Sequence, residues 1–142
     1  ILKRGPAAGI KEFLLAAEHI MYNGNEKVIL CERGLKSFDN AFTRNVLDIA
    51  AVPVIKKYSH LPIIVDPSHG TGQRYLIEPM AKAGLVAGAD GVMVEVHHNP
   101  SCALSDGKQS LSISQFKEVF SRLNNMIDVL HLEKSTTLSC VE

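Results

Sequence analysis

"PIIVDPSH", residues 62–69, opens with four residues lacking any polar side chain and then turns abruptly polar. A strand with one wet face alternates apolar and polar residues. A strand covered on both faces reads as a continuous apolar run. This stretch is of the second kind, and it points to a parallel sheet with helices packed against it. Two more runs repeat the pattern, "KVILC" (27–31) and "GVMVEV" (91–96), and "ILK" (1–3) reads as the end of a fourth strand.

Helical patterns lie between these runs. Ile10, Phe13, Leu14, Ala17, Ile20 and Met21 share one face of a helix that Gly24 stops. Residues 44–58 are helical in composition but contain Pro53, which predicts a break and a new helical turn there. Residues 72–87 form a third helical pattern that Pro79 should disturb. Phe116, Val119, Phe120, Leu123, Ile127 and Leu130 form a fourth, opened by "SISQ" (112–115), where Ser112 and Gln115 fit a capping box. The tail, residues 132–142, has no period and reads as unstructured. Strands and helices therefore alternate at about one unit per 30 residues, the rhythm of βα units on a parallel sheet. A complete eight-stranded barrel takes roughly 200–250 residues. With 142 residues and four units, the chain is either a small open α/β domain or half of a barrel.

Composition excludes several classes. Fifteen basic residues balance fifteen acidic ones, so no net field draws the chain to nucleic acid or to a membrane surface. No apolar run is long enough to span a bilayer. Three cysteines, Cys31, Cys102 and Cys140, lack zinc-pair spacing and read as reduced thiols of a cytosolic protein.

The unusual polar residues follow the strands: Lys3-Arg4-Gly5, Glu32-Arg33-Gly34, Asp66-Pro67-Ser68-His69, Glu95, and Asp106 in the loop beyond. The carboxyl ends of parallel strands are where α/β proteins build sites. Lys3 and Arg33 are cations whose one obvious local acid is Glu32; at a strand end they suit an anion, with Arg33 able to grip a phosphate or carboxylate at two points. His69, Glu95 and Asp106 suit a divalent transition metal, whose charge would offset the cost of burying Glu95. Blander readings stay open on residue types alone. Glu95 in an ion pair with Lys3 or Arg33 is the commoner fate of an inward acid, Arg33 could pair with Asp39, and "SDG" (105–107) is an ordinary turn. At most one of His97 and His98 could face the same site, because neighbours on a strand point to opposite sides. Cys31 reads as a small core residue.

Taken together, "KRGP", "GNEKVILCERG", "RNVLDIAAVP", "LPIIVDPSHGTG" and "VEVHHNP…ALSDGKQSL" resemble 3-deoxy-D-arabino-heptulosonate 7-phosphate (DAHP) synthase, in its type I beta branch, from Ile1 to about Leu130. The resemblance implies a (β/α)8 TIM barrel. This chain then corresponds to its C-terminal half, strands 5–8 with their helices, with a partial barrel domain at 1–131. It implies condensation of phosphoenolpyruvate with erythrose 4-phosphate to DAHP and phosphate, the entry to the shikimate pathway, chorismate and the aromatic amino acids. It implies a divalent metal (Mn2+, or Fe2+, Zn2+ or Co2+) on His69, Glu95 and Asp106, and a phosphoenolpyruvate site that includes Lys3 and Arg33. It gives catalytic parts to Lys3, Asp66 and His69, with Asp66 positioning or relaying a proton. A cytoplasmic homo-oligomer, a tetramer at full length, goes with it. The family's "GPCS" motif, which carries a fourth, cysteine ligand, and its "KPRTS" loop, which helps hold both substrates, do not occur in this sequence. Two alternatives follow: an inactive half-barrel, and 3-deoxy-D-manno-octulosonate 8-phosphate (KDO8P) synthase, which shares the barrel but takes arabinose 5-phosphate.

Overall fold

The computed structural model describes residues 1–129. Four parallel strands form one sheet in chain order: β1 (Leu2–Lys3), β2 (Leu30–Glu32), β3 (Ile63–Val65) and β4 (Gly91–Val92). Five helices accompany them: α1 (Ile10–Tyr22), α2 (Ala51–Tyr58), α3 (Pro67–Thr71), α4 (Arg74–Val86) and α5 (Ile113–Val129). Each strand pairs with the next in the sequence, as serial βα units require.

Register decides which side chains meet. Leu2 lies beside Leu30 and Leu30 beside Ile63, and these three pack into the apolar layer with Phe13, Val52 and Ile55. Alternation along a strand puts Lys3, Cys31 and Ile64, themselves in register, on the opposite face. Asp66, two residues past Ile64, returns to the side of Lys3, and the two form an ion pair at 3.0 Å. A second apolar cluster joins α4 to α5 through Ile77, Ala81, Leu85, Leu111, Val119 and Leu123, and Val92 packs against both clusters. Gly84 lets α4 approach β3 closely: a Cβ there would stand 2.5 Å from a Val65 methyl carbon.

Several expected elements differ in extent, among them β2, expected over 27–31 and observed over Leu30–Glu32. The strand expected over 91–96 ends at Val92. Its partner, β3, gives way at Asp66 to the proline-initiated α3, so after the Met93 N–H reaches the Val65 carbonyl the ladder has no further strand to pair with. The helix expected over 44–58 begins at Ala51, because the N–H groups of Arg44, Asn45 and Val46 are taken by the carbonyls of Thr71, Gly70 and Leu35. Pro53 therefore falls in the first turn, where a missing N–H leaves no bond unmade. The helix expected over 72–87 is α4 (Arg74–Val86), and it runs through Pro79 without the expected disturbance, held by the burial of Ile77, Ala81 and Leu85. The capping box of α5 is as expected, with the Gln115 N–H donating to Ser112 Oγ and the Ser112 N–H to Gln115 Oε1. Leu130 and the tail at 132–142 lie outside the described residues.

Candidate metal and anion site

His69 sits in α3, directly after β3, and α3 is built to aim it. Asp66 caps the helix: its Oδ1 accepts the His69 N–H at 2.9 Å, while Oδ2 accepts from His69 Nδ1 at 2.8 Å and from Lys3 Nζ at 3.0 Å. Asp66 is fully buried, so its charge needs these donors. With Nδ1 donating to Asp66, the free lone pair of the ring is on Nε2.

Nε2 faces Glu95 Oε2 at 3.6 Å. That is too long for a hydrogen bond, and with Nδ1 carrying the proton it sets lone pair against lone pair. A cation between them, or a second proton on the ring, relieves the opposition. Asp106 completes the group: one ligand atom from each of His69, Glu95 and Asp106 lies within 4.8 Å of the others. Donors sharing one divalent ion sit about 3–3.5 Å apart at bond lengths of about 2.1 Å, so this set fits a metal with small adjustments. The expectation of a buried acid is corrected: the Glu95 side chain is 28% exposed, because the chain has left the sheet by that point. Its backbone is fixed all the same, the N–H donating to the buried Ser68 Oγ and the carbonyl accepting from the Leu111 N–H.

Glu95 pairs with neither Lys3 nor Arg33. Lys3 is taken by Asp66, and Glu32, the one acid local to Lys3 and Arg33 in the sequence, holds Arg4. Arg4 is buried and donates to Glu32 Oε2, Asp48 Oδ2 and the Ala8 carbonyl, each at 2.9 Å. Burial works to lower its pKa, and the hydrogen bonds to Glu32 and Asp48 outweigh that, so the guanidinium stays above its ordinary value. The other oxygen of Glu32 accepts the Gly34 N–H at 2.8 Å. This fixes a turn in which Gly34 has φ +91°, and a Cβ there would meet Asn45 at 2.8 Å. Arg33 rides on that turn, partly exposed, and pairs with no carboxylate among the described residues, Asp39 included. It is thus left available to an anion from outside.

The remaining candidates resolve as follows. His97 and His98 stack on each other, and the His97 ring accepts the Asn99 N–H, apart from the His69 group. Cys31 is fully buried on the face of Lys3, and burial, with Asp66 adding to it, pushes its thiol up to about 12. Cys102 is an exposed free thiol. A thiol reagent at pH 8 should therefore modify Cys102 and leave Cys31 untouched until the protein is unfolded, which peptide mapping by mass spectrometry checks. Sequence reading passed over Arg4, Asp48, Arg44 and Gln109. The signal was present only as charged or amide residues inside otherwise apolar motifs, as in "RNVLDIAAVP" and "KQSL".

The family model described as the DAHP synthetase I family matches residues 1–131. The chain belongs to the DAHP synthetase I family. A phospho-2-dehydro-3-deoxyheptonate aldolase of Thermotoga maritima is 55% identical over 130 residues, which are 92% of this chain and 38% of that protein. A 2-dehydro-3-deoxyphosphooctonate aldolase of Trichlorobacter lovleyi is 35% identical over 112 residues, 71% of this chain and 40% of that protein. The crystal structure of the Thermotoga maritima DAHP synthase superposes with a TM-score of 0.87 at 54% identity, covering 90% of this chain and 37% of that one. A truncated form of the same enzyme superposes equally well, and there the match covers 48% of that chain. The chain thus spans less than half the length of the relatives it matches. Its four βα units are a part of the family's TIM barrel. The DAHP synthase family is metal-dependent, and the His69, Glu95 and Asp106 group fits that requirement. No helix among the described residues is long and apolar enough to cross a membrane.

Proposed function

We propose that this chain supplies the metal-binding and phosphoenolpyruvate-binding half of a DAHP synthase. The reaction joins phosphoenolpyruvate, erythrose 4-phosphate and water into DAHP and inorganic phosphate. The observation that carries the reading is the unrelieved pairing of His69 Nε2 with Glu95 Oε2 beside Asp106, at the rim where Lys3 and Arg33 also stand. A divalent ion on His69, Glu95 and Asp106, Mn2+ in the first instance, would polarise the aldehyde oxygen of erythrose 4-phosphate as a Lewis acid.

The chain's own residues do the rest. Lys3 and Arg33 hold the phosphoenolpyruvate anion so that its C3 faces the aldehyde carbon. The C3–C1 bond forms, water adds at C2, and phosphate leaves by cleavage of its bond to C2. The two cations offset the charge that develops on the departing group. Asp66 holds the His69 ring through Nδ1 and the Lys3 ammonium through the same oxygen, and so joins the two groups; in this reading it also positions or relays a proton. Cytoplasmic location and assembly into a homo-oligomer, a tetramer at full length, belong to this reading.

The test uses the protein expressed from its natural gene. Arg33→Ala should raise the KM for phosphoenolpyruvate by about 10–100-fold, the loss of one charge-assisted pair, with little change in the KM for erythrose 4-phosphate. An equal effect on both substrates, or none, removes Arg33 from the anion site. The same assay with arabinose 5-phosphate addresses the 35% identical octulosonate relatives: turnover with that aldose alone would assign the chain to KDO8P synthesis.

A further inference from the structure

We propose that Gln109 is the positioning residue of the metal centre, holding both candidate carboxylate ligands in ligating posture before any ion arrives. The inference rests on the reading of His69, Glu95 and Asp106 as metal ligands.

Gln109 lies on the loop after Asp106 and is only 3% exposed. Its carboxamide Nε2 donates to Glu95 Oε2 at 2.9 Å, and its Oε1 accepts from Arg44 at 3.5 Å. Arginine has donors only, so the amide oxygen must face Arg44 and the amide nitrogen must face Glu95. The same Arg44 nitrogen donates to Asp106 Oδ1 at 3.0 Å. The Gln109 main chain holds the second ligand as well. Its N–H, together with the N–H and Oγ of Ser110, donates to the Asp106 carbonyl. Those three bonds stabilise Asp106 at φ 54°, a left-handed conformation that a residue with a Cβ adopts at a cost. One buried residue therefore grips Glu95 by its side chain and Asp106 by its backbone.

The physical need is plain. Two carboxylates within 4.8 Å repel each other when no ion joins them. Gln109 answers one with a donor, and Arg44 answers the other with a charge. Gln109 is the better place to test the idea, because it is neutral. Removing Arg44 would also remove a cation's repulsion of the incoming metal, and the two effects have opposite signs. Removing the Gln109 amide leaves the net charge of the site unchanged and takes away the donor on Glu95 and the second acceptor of Arg44. The backbone of Glu95 stays pinned by Ser68 and Leu111 in either case, so the effect is confined to the carboxylate.

The experiment compares the natural-gene protein with its Gln109→Met form, which keeps the buried volume and removes the amide. Mn2+ binding is titrated by electron paramagnetic resonance, and melting is followed without metal. Loss of a group that orients a ligand costs about 10–100-fold in metal affinity. The Mn2+ Kd should rise by that factor, the metal-free melting temperature should stay close to that of the parent, and turnover should recover at saturating Mn2+. Gln109→Asn is the second variant: its amide is one methylene short of Glu95, so it should weaken Mn2+ in the same way even if the methionine form fails to fold. His69→Ala is the control for the site itself. An unchanged Mn2+ Kd in a folded Gln109 variant, with binding lost in His69→Ala, overturns the role of Gln109. Unchanged binding in His69→Ala overturns the metal site on which it rests.

Discussion

Replacing His69 by alanine should lower the rate of condensation by about a thousandfold or more, with Mn2+ binding reduced in parallel. A catalytic metal supplies several kcal/mol of transition-state stabilisation, and each 1.36 kcal/mol is about tenfold in rate. His69 is the single nitrogen donor of the group, and it is the donor whose orientation is most firmly fixed, through Asp66 at 2.8 Å. Its loss also strands Asp66, fully buried, with Lys3 as its remaining side-chain partner. Glu95→Ala should have a comparable effect on the rate and spare the fold, since the Glu95 side chain is partly exposed and its backbone bonds do not involve the carboxylate. The disappearance of phosphoenolpyruvate absorbance reports the rate, and metal content after dialysis reports the binding. A His69→Ala protein that retains both within about tenfold would mean that the reaction runs without this group.

The 142-residue polypeptide taken alone should show no measurable turnover with both substrates and Mn2+. Four parallel strands leave β1 and β4 as open edges, and a sheet with unpaired edges is prone to associate with other chains. The chemistry requires two substrates held in register, an effect that can exceed about 10^5-fold in rate, and half a barrel presents one wall of the site. The "GPCS" and "KPRTS" motifs that the resemblance leads one to expect do not occur in this sequence, so on that reading the metal would lose its softest ligand as well. Size-exclusion chromatography should show self-association. Turnover comparable to that of an intact relative, from a species of twice the mass, would show instead that two copies close into a working barrel.

How far the residues alone foretold this site differs from one part to the next. The parallel sheet was legible because its strands are covered on both faces, and such strands leave continuous apolar runs bounded by polar turns. Lys3, His69 and Glu95 were legible as rim residues because a polar residue at or just past the end of such a run stands out, whereas Asp106 lies in the loop beyond and owed its place in the set to the family resemblance as well. Their partners were not. Asp66 serves Lys3 across 63 residues and Glu32 serves Arg4 across 28, and a sequence carries no distance between strands. The nearest charge in the chain, Glu32 beside Arg33, was not its partner, because the Glu32 carboxylate is taken by Arg4 and the Gly34 N–H while Arg33 rides on the turn beyond β2. The start of α2 was hidden for a related reason. Residues 44–46 have helical composition, but their N–H groups are claimed by Leu35 and by Gly70 and Thr71, so a tertiary demand overrides local preference.

The sheet order β1-β2-β3-β4 also bears on how the chain is made. A ribosome releases the strands in the order in which they pair, so each new βα unit meets a finished edge and no unit must wait for one far downstream. The polar ties follow the same schedule. Arg4 meets Glu32 first and Asp48 after it, and Lys3 is paired once Asp66 has emerged. The carboxylates of the metal group, Glu95 and Asp106, emerge later still, with Arg44 already in place to receive Asp106. Synthesis should thus bring the charged centre together late, after the residues of the first apolar cluster have emerged and before α5 closes the second.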